Sequence, residues 1–302
     1  MMADKKVLTR VLATAIVIIA FSFVANDLHS SWDSLADNIS SPSLSFWAGC
    51  VLILSMMALW PAVWIIIMRG CGVKMPTKNA YAIWWVSNLG KYVPGKVTLI
   101  AGRAWLARRW GPQVVLESFA WEFILSISSA LIAGSLFLFY NDSIYGSLIF
   151  GAALLSLFPI LSPDLVQKLL RKPIALLGRG KWDAPVSMSR ATYLQALVML
   201  VLGWIGWGIA HQLLLSGIGI EIDLIVLISV FSLAWAVGFA IIILPAGLGV
   251  REGALTQLMT PFAAAGVGAI LALLSRIVNI IAELIAFAVG SSIYATISLE
   301  EE

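Results

Sequence analysis

Asn88-Leu89-Gly90-Lys91-Tyr92-Val93-Pro94-Gly95-Lys96 interrupts an apolar stretch that lies between Thr77 and Arg109. Two lysines, a proline and two glycines are costly there, because lipid tails neither satisfy freed backbone groups nor solvate an ammonium. Such a break is tolerated where it lines a polar cavity or is buried in protein. Thr77 can cap a helix from Lys78 to Leu89, which Gly90 can end. Val93 precedes a proline and is pushed away from helical geometry, and a second helix is expected from Val97 to Trp110. Each arm is ~20 Å long at 1.5 Å per residue, short of a ~30 Å hydrocarbon core. The stretch therefore belongs either to one kinked span or to a hairpin that dips in and returns.

The rest of the chain decides between these. Of 302 residues, 61% are hydrophobic and 12% charged, against about 25% charged in a soluble domain. This is the composition of a polytopic membrane protein. The formal net charge of +3 is unevenly spread and reports orientation, with no sign of a nucleic-acid partner. Lys5, Lys6 and Arg10 put the N-terminus in the cytoplasm, and the apolar run after them reads as an uncleaved first span, Val7 to Val24. The loop from Asn26 to Ser45 holds Asp27, Asp33 and Asp37 without Lys or Arg and is exterior. Span two, Phe46 to Met68, carries Pro61 as an expected kink, and Arg69, Lys74 and Lys78 follow it. Spans three and four are expected at Val114–Tyr140 and Ile144–Leu161. The polar segment 162–190 after them holds Lys168, Arg171, Lys172, Arg179, Lys181 and Arg190, so it is cytoplasmic. Four crossings already satisfy the parity, and a fifth at 77–110 would break it. The hairpin reading follows, entered from the cytoplasmic side.

Within 162–190, apolar residues at helical spacing alternate with Lys168, Arg171 and Lys172, which suits either a basic amphipathic helix on an anionic leaflet or an ordinary loop. Span five is expected at Ala191–Ser216 and span six at Leu224–Leu244. A second break follows, Pro245-Ala246-Gly247-Leu248-Gly249-Val250-Arg251-Glu252-Gly253, and the last span is Ile277–Ile297. The preferred reading of 245–275 is a second re-entrant hairpin; two ordinary spans, 254–274 and 277–297, are the alternative. The expected fold is all-α: a single integral membrane domain, 1–302, with about seven transmembrane helices and two re-entrant helical hairpins.

Charged residues inside such a bundle mark candidate sites. Glu122 falls within span three, whereas Glu117 can sit at the interface. Arg276, Asn279 and Glu283 share one face of the last span. Lys91, Lys96, Arg103, Arg251 and Arg276 outnumber Glu122, Glu252 and Glu283, an excess that suits an anionic group such as a lipid phosphate. The acids would balance charge or carry a proton, and Arg276 or Arg251 could instead pair structurally with Glu122 or Glu283. Backbone N–H groups freed at the breaks, around Asn88, Gly90, Tyr92, Pro94 and Gly95 and around Pro245, Gly247 and Gly249, would serve the same anion. Cys50 and Cys71 lie at opposite ends of one span, ~30 Å apart along a helix, too far to pair. His29 and His211 have no ligand-spaced neighbour, so no metal or other cofactor is expected, and His211 reads as a packing residue. Most of the 13 tryptophans read as interfacial anchors and packing residues, whereas Trp84, Trp85 and Trp105 flank the hairpin, where they could line a lipid groove. Gly203, Gly206 and Gly208 read as sites of close helix approach.

The two breaks together, Asn88-x-x-Gly-Lys-Tyr-x-Pro-Gly-Lys96 with Gly102-Arg103 and then Pro245-x-Gly-x-Gly-x-Arg-Glu252, resemble the membrane region of lysylphosphatidylglycerol synthases and the stand-alone flippase-like membrane proteins related to it. The resemblance covers nearly the whole chain. It implies a membrane unit that moves lipid between leaflets. In the bifunctional synthases a separate soluble domain performs aminoacyl transfer, and no such domain is expected here. The function expected is translocation of an anionic phospholipid, glycolipid or polyprenyl-phosphate-linked lipid in the cell membrane. ATP is not its direct drive, because no Walker motif is present. The alternatives are a membrane enzyme using carboxylates as acid and base, or an accessory partner of a separate glycosyltransferase or other lipid-modifying enzyme. The oligomeric state is not legible.

Overall fold

A computed structural model describes residues 42–93, 97–139, 144–177, 188–241, 245–247, 249–264 and 266–300. The first expected span, most of the exterior loop, and Pro94, Gly95, Lys96 and Leu248 lie outside them. Among the described residues every regular element is helical: α1 (Leu44–Met56), α2 (Leu59–Gly70), α3 (Thr77–Asn88), α4 (Val97–Leu106), α5 (Pro112–Gly134), α6 (Ile144–Leu155), α7 (Phe158–Leu161), α8 (Pro163–Leu177), α9 (Arg190–Ser216), α10 (Leu224–Ala240), α11 (Val250–Met259) and α12 (Val267–Glu300), with short 3-10 turns between some of them. Helices close their own backbone hydrogen bonds, which is why an apolar chain takes this form in lipid.

Four stretches are long and apolar enough to cross a membrane: Leu44–Gly70, Pro112–Phe137, Arg190–Ser216 and Val267–Ile297. A fifth arises if α6 and α7 are taken with α8, which is bent from them by 91°. α10 has 17 residues, shorter than the expected Leu224–Leu244. The described residues therefore carry four or five spans, where the sequence suggested about seven for the whole chain.

Pro61 has no N–H to offer the carbonyl four residues back, that of Met57, and the helix opens into a turn between Met56 and Leu59. The kink therefore sits before the proline, and the Trp85 indole donates to the Met57 carbonyl at 3.0 Å. Thr77 does not cap α3: Pro76 holds that position and no side-chain cap bond forms. Ser189 and Asp223 do cap α9 and α10, accepting from the Thr192 and Ile225 amides at 3.1 and 2.8 Å.

Arg69 and Arg190 lie at one end of the bundle. Gly70, next to Arg69, packs on Thr192 near the start of α9. Arg190 donates to the Leu161 carbonyl. Gln167 of α8 donates at 2.5 Å to Glu117, which is buried near the start of α5 and not at an exposed interface. Glu221 and Asp223 lie in the turn at the far end of α9.

Against this frame α3 and α4 form a hairpin. Ser87 meets Arg103 and Gly90 meets Leu99, so the arms run antiparallel. Gly90 does not end its helix through an unusual backbone angle; a Cβ there would sit 2.5 Å from the Leu99 nitrogen. It is the point where the arms touch.

The second break reverses the chain between α10 and α11. Gly238 packs on both Gly247 and Arg251, and Gly247 takes a φ of +69°. α11 then lies along α10 and turns again, through residues 260–266, into α12. α12 runs unbroken through Arg276 for 34 residues in all, Val267–Glu300, so separate spans at 254–274 and 277–297 do not exist. The returning arm of the second element and the last span are one helix. Gly290 of α12 packs on Trp85 of α3, while Glu283 meets Tyr92, so these helices are antiparallel and α12 ends at the basic end. The 3-10 turns at the two breaks, Leu89–Tyr92 and Pro245–Gly247, touch each other.

Candidate functional site

Where the breaks meet lies a cavity that is partly open at its mouth. Four cations, Lys91, Arg103, Arg251 and Arg276, reach it, and two carboxylates, Glu122 and Glu283. Asn88 and Asn279 also line it. The structure thus brings both broken motifs and both intramembrane acids to one place, from segments separated by up to 192 residues.

The charges form three clusters. In the first, Arg103 is buried and pairs with Glu122. Its Nε donates to Ser87 at 3.1 Å, and Trp84 donates to the other Glu122 oxygen at 3.1 Å. The guanidinium also lies 5.2 Å from the Trp84 ring and 5.4 Å from Trp64, within cation–π range. In the second, Lys91 and Tyr92 both donate to Glu283, at 2.5 and 3.0 Å, which ties the first hairpin tip to α12. In the third, Glu252 accepts from Arg276 at 3.2 Å and lies 3.4 Å from Arg251, whose Nη2 reaches Ser275 at 3.3 Å. Glu252 Oε2 also accepts from the Gly249 amide at 2.9 Å, closing the first turn of α11. The expected pairing of Arg276 or Arg251 with Glu122 or Glu283 is replaced by these local partners.

One guanidinium is incompletely used. Arg276 is 4% exposed, and its Nε and Nη2 have no hydrogen-bond partner among the described residues. Those two nitrogens form the side-on edge of the guanidinium fork, the edge that grips two oxygens of a phosphate or carboxylate. Asn279, which lines the cavity, donates to the Ser275 carbonyl of its own helix at 2.6 Å. His211 is buried and its Nδ1 bonds the Trp207 carbonyl at 2.7 Å, as a packing residue would.

Apart from Trp84, the cavity wall holds rings that the sequence reading missed. Trp84, Trp60, Trp235, Phe239 and Phe123 stack in one column, with successive centroids 6.4, 5.7, 4.4 and 5.0 Å apart. They come from α3, α2, α10 and α5. Every ring lines the cavity. No spacing rule links these positions, because each helix supplies only one or two of them.

Fold and site together define a polytopic helical membrane protein with a charged, aromatic-walled internal cavity. The chain belongs to the lysylphosphatidylglycerol synthase TM region family, whose sequence profile matches residues 10–286. No curated protein matches it in sequence.

Proposed function

We propose that this protein is a lipid translocase that carries an anionic phospholipid, glycolipid or polyprenyl-phosphate-linked lipid between leaflets of the cell membrane. The carrying observation is the side-on edge of Arg276, buried and unpartnered among the described residues, on a residue that lines the cavity. An open guanidinium fork in a low-dielectric site is an incomplete oxyanion site. In this reading Arg276 and Arg251 hold the phosphate, and Lys91 and Tyr92 adjoin it. Glu252 and Glu283 balance charge, and Arg103 with Glu122 fixes the hairpin arm.

Topology supports the same reading. The basic end of the bundle is cytoplasmic by the positive-inside rule, so the N-terminus is cytoplasmic and α3 and α4 form a re-entrant hairpin entered from that side. α11 returns toward the opposite side. Breaks that meet from opposite directions around a polar site suit a transporter built about the bilayer midplane.

The test is leaflet exchange of reporter-labelled anionic lipids in proteoliposomes, comparing wild type with Arg276→Gln. Loss of a bidentate charged contact predicts at least about a tenfold fall in exchange, with the variant still folded in detergent. Undiminished exchange in Arg276→Gln would sink the reading.

A further inference from the structure

α8 leaves the helices before it at 91°. α6, ahead of the bend, packs along α5, one of the four long spans. A helix at right angles to them runs across the end of the bundle and not through it. Its level is fixed by contacts with the neighbouring helices. Gln167 donates to Glu117 near the start of α5, and Arg190, at the start of α9, donates to the Leu161 carbonyl just before the bend. Val166 and Leu170 join the apolar cluster that holds Trp121 and Met188. α8 is therefore docked where spans begin, the level of lipid headgroups.

A second feature marks the same level. The end of α4 exposes Trp105, with the Arg108 guanidinium 4.7 Å from its ring, and Arg109 lies 3.9 Å from the Trp110 ring. α5 begins two residues later, at Pro112. Tryptophan stacked with arginine at the start of a span suits a membrane–water interface.

The faces of α8 are sorted to match. Val166, Gln167 and Leu170 turn to the bundle, whereas Leu165 and Leu169, one turn apart, are 47% and 57% exposed. Lys168 is exposed beside them, and Arg171 and Lys172 stand at the i+3 and i+4 positions from it in the same helix. Asp164 is the acid of the first turn, where the helix dipole favours it. Water has no use for an exposed leucine edge. A bilayer takes such an edge into its acyl boundary while neighbouring lysines reach the headgroups.

We propose that α8 is an interfacial helix that recognises anionic phospholipid headgroups in the leaflet at this end of the bundle, its Leu165–Leu169 edge set among acyl chains and the charge of Lys168, Arg171 and Lys172 drawing it there. This surface is separate from the cavity and stands whether or not the cavity carries lipid.

The test uses the full chain in nanodiscs of phosphatidylcholine, with or without one-third phosphatidylglycerol. Cys50→Ala and Cys71→Ala clear the background. A fluorophore is attached at Leu169→Cys or, as the control on another side of the same helix, at Asp164→Cys. Quenching by doxyl-labelled lipid is compared with quenching by acrylamide in the water. With phosphatidylglycerol present, the label at 169 favours the lipid quencher about fivefold or more over the label at 164. Replacing Lys168, Arg171 and Lys172 together by Gln moves the immersion equilibrium toward water by up to about a hundredfold and removes its response to phosphatidylglycerol. Lys168→Gln alone shifts it about fivefold and serves where the triple variant fails to fold, read as its melting temperature in detergent. Equal acrylamide access at both labels overturns the proposal and leaves the leucine edge to a soluble partner. Immersion of position 169 that ignores phosphatidylglycerol overturns it as well, since the helix then reads hydrocarbon and not charge.

Discussion

The Arg103–Glu122 pair and the Arg276–Arg251–Glu252 group use the same chemistry to opposite ends. Arg103 is enclosed: it has its carboxylate, the Ser87 hydroxyl and tryptophan faces around it, while Glu122 takes a second donor from Trp84. Arg276 shares one carboxylate with a neighbouring arginine and keeps a buried edge open. A closed ion pair in a membrane interior holds helices together. An open one of similar burial is incomplete without something else. On the function proposed above, the difference separates a structural charge from a ligand-binding one, although residue type and hydrophobic surroundings are alike.

The comparison can be broken most forcefully at Arg103. Arg103→Ala strands Glu122 and is expected to cost about 3–5 kcal/mol, read as a large loss of thermal stability in detergent. The joint replacement Arg103→Met with Glu122→Leu is expected to recover much of that, since both charges then leave together. If Arg103→Ala proves as stable as wild type, the pair is not structural. Next in size is Gly90→Ala, whose Cβ would meet Leu99 backbone and cost about 1–3 kcal/mol through overpacking. Gly102→Ala, with open space around its Cβ, is the matched control on the other arm and should be neutral or slightly stabilising in the same assay.

Trp85→Phe is of similar size. It leaves the Met57 carbonyl without its indole partner, costing about 1–3 kcal/mol if the carbonyl finds nothing else. Arg276→Gln stands last on stability, within about 1 kcal/mol, yet it should exceed Gly90→Ala and Trp85→Phe in lost lipid exchange. A stability loss at Arg276 equal to that at Arg103 would erase the distinction between the two groups.

What the chain discloses before folding follows from which signals are local. The break at Asn88–Lys96 stands out because proline, glycine and lysine are each expensive in lipid, and the second break stands out likewise. That both supply one cavity is consistent with their chemistry. Which acid meets which cation is not legible, because Lys91 finds Glu283 192 residues away while Glu252 finds Arg276 through the α11–α12 turn. Gly266 and Gly268 resemble interruptions in sequence. Yet only Gly266 has a positive φ, whereas Gly268 lies within α12, where a Cβ would press on Thr256. Glycine spacing alone does not tell a break from a close approach. Glu117 reads as an interfacial acid because its partner, Gln167, lies on a helix folded back from a later segment.

The aromatic column has a consequence for light. Neighbouring rings in it lie 4.4 to 6.4 Å apart, with interplanar angles of 7° to 29°. Transition dipoles that close couple, so Trp84, Trp60 and Trp235 absorb as a set of exciton-split indoles. Circular dichroism at the strong far-ultraviolet indole band should change in Trp60→Leu, where the middle indole is gone. The wall of the cavity is its own chromophore, and its spectrum reports how the four helices that supply it are aligned.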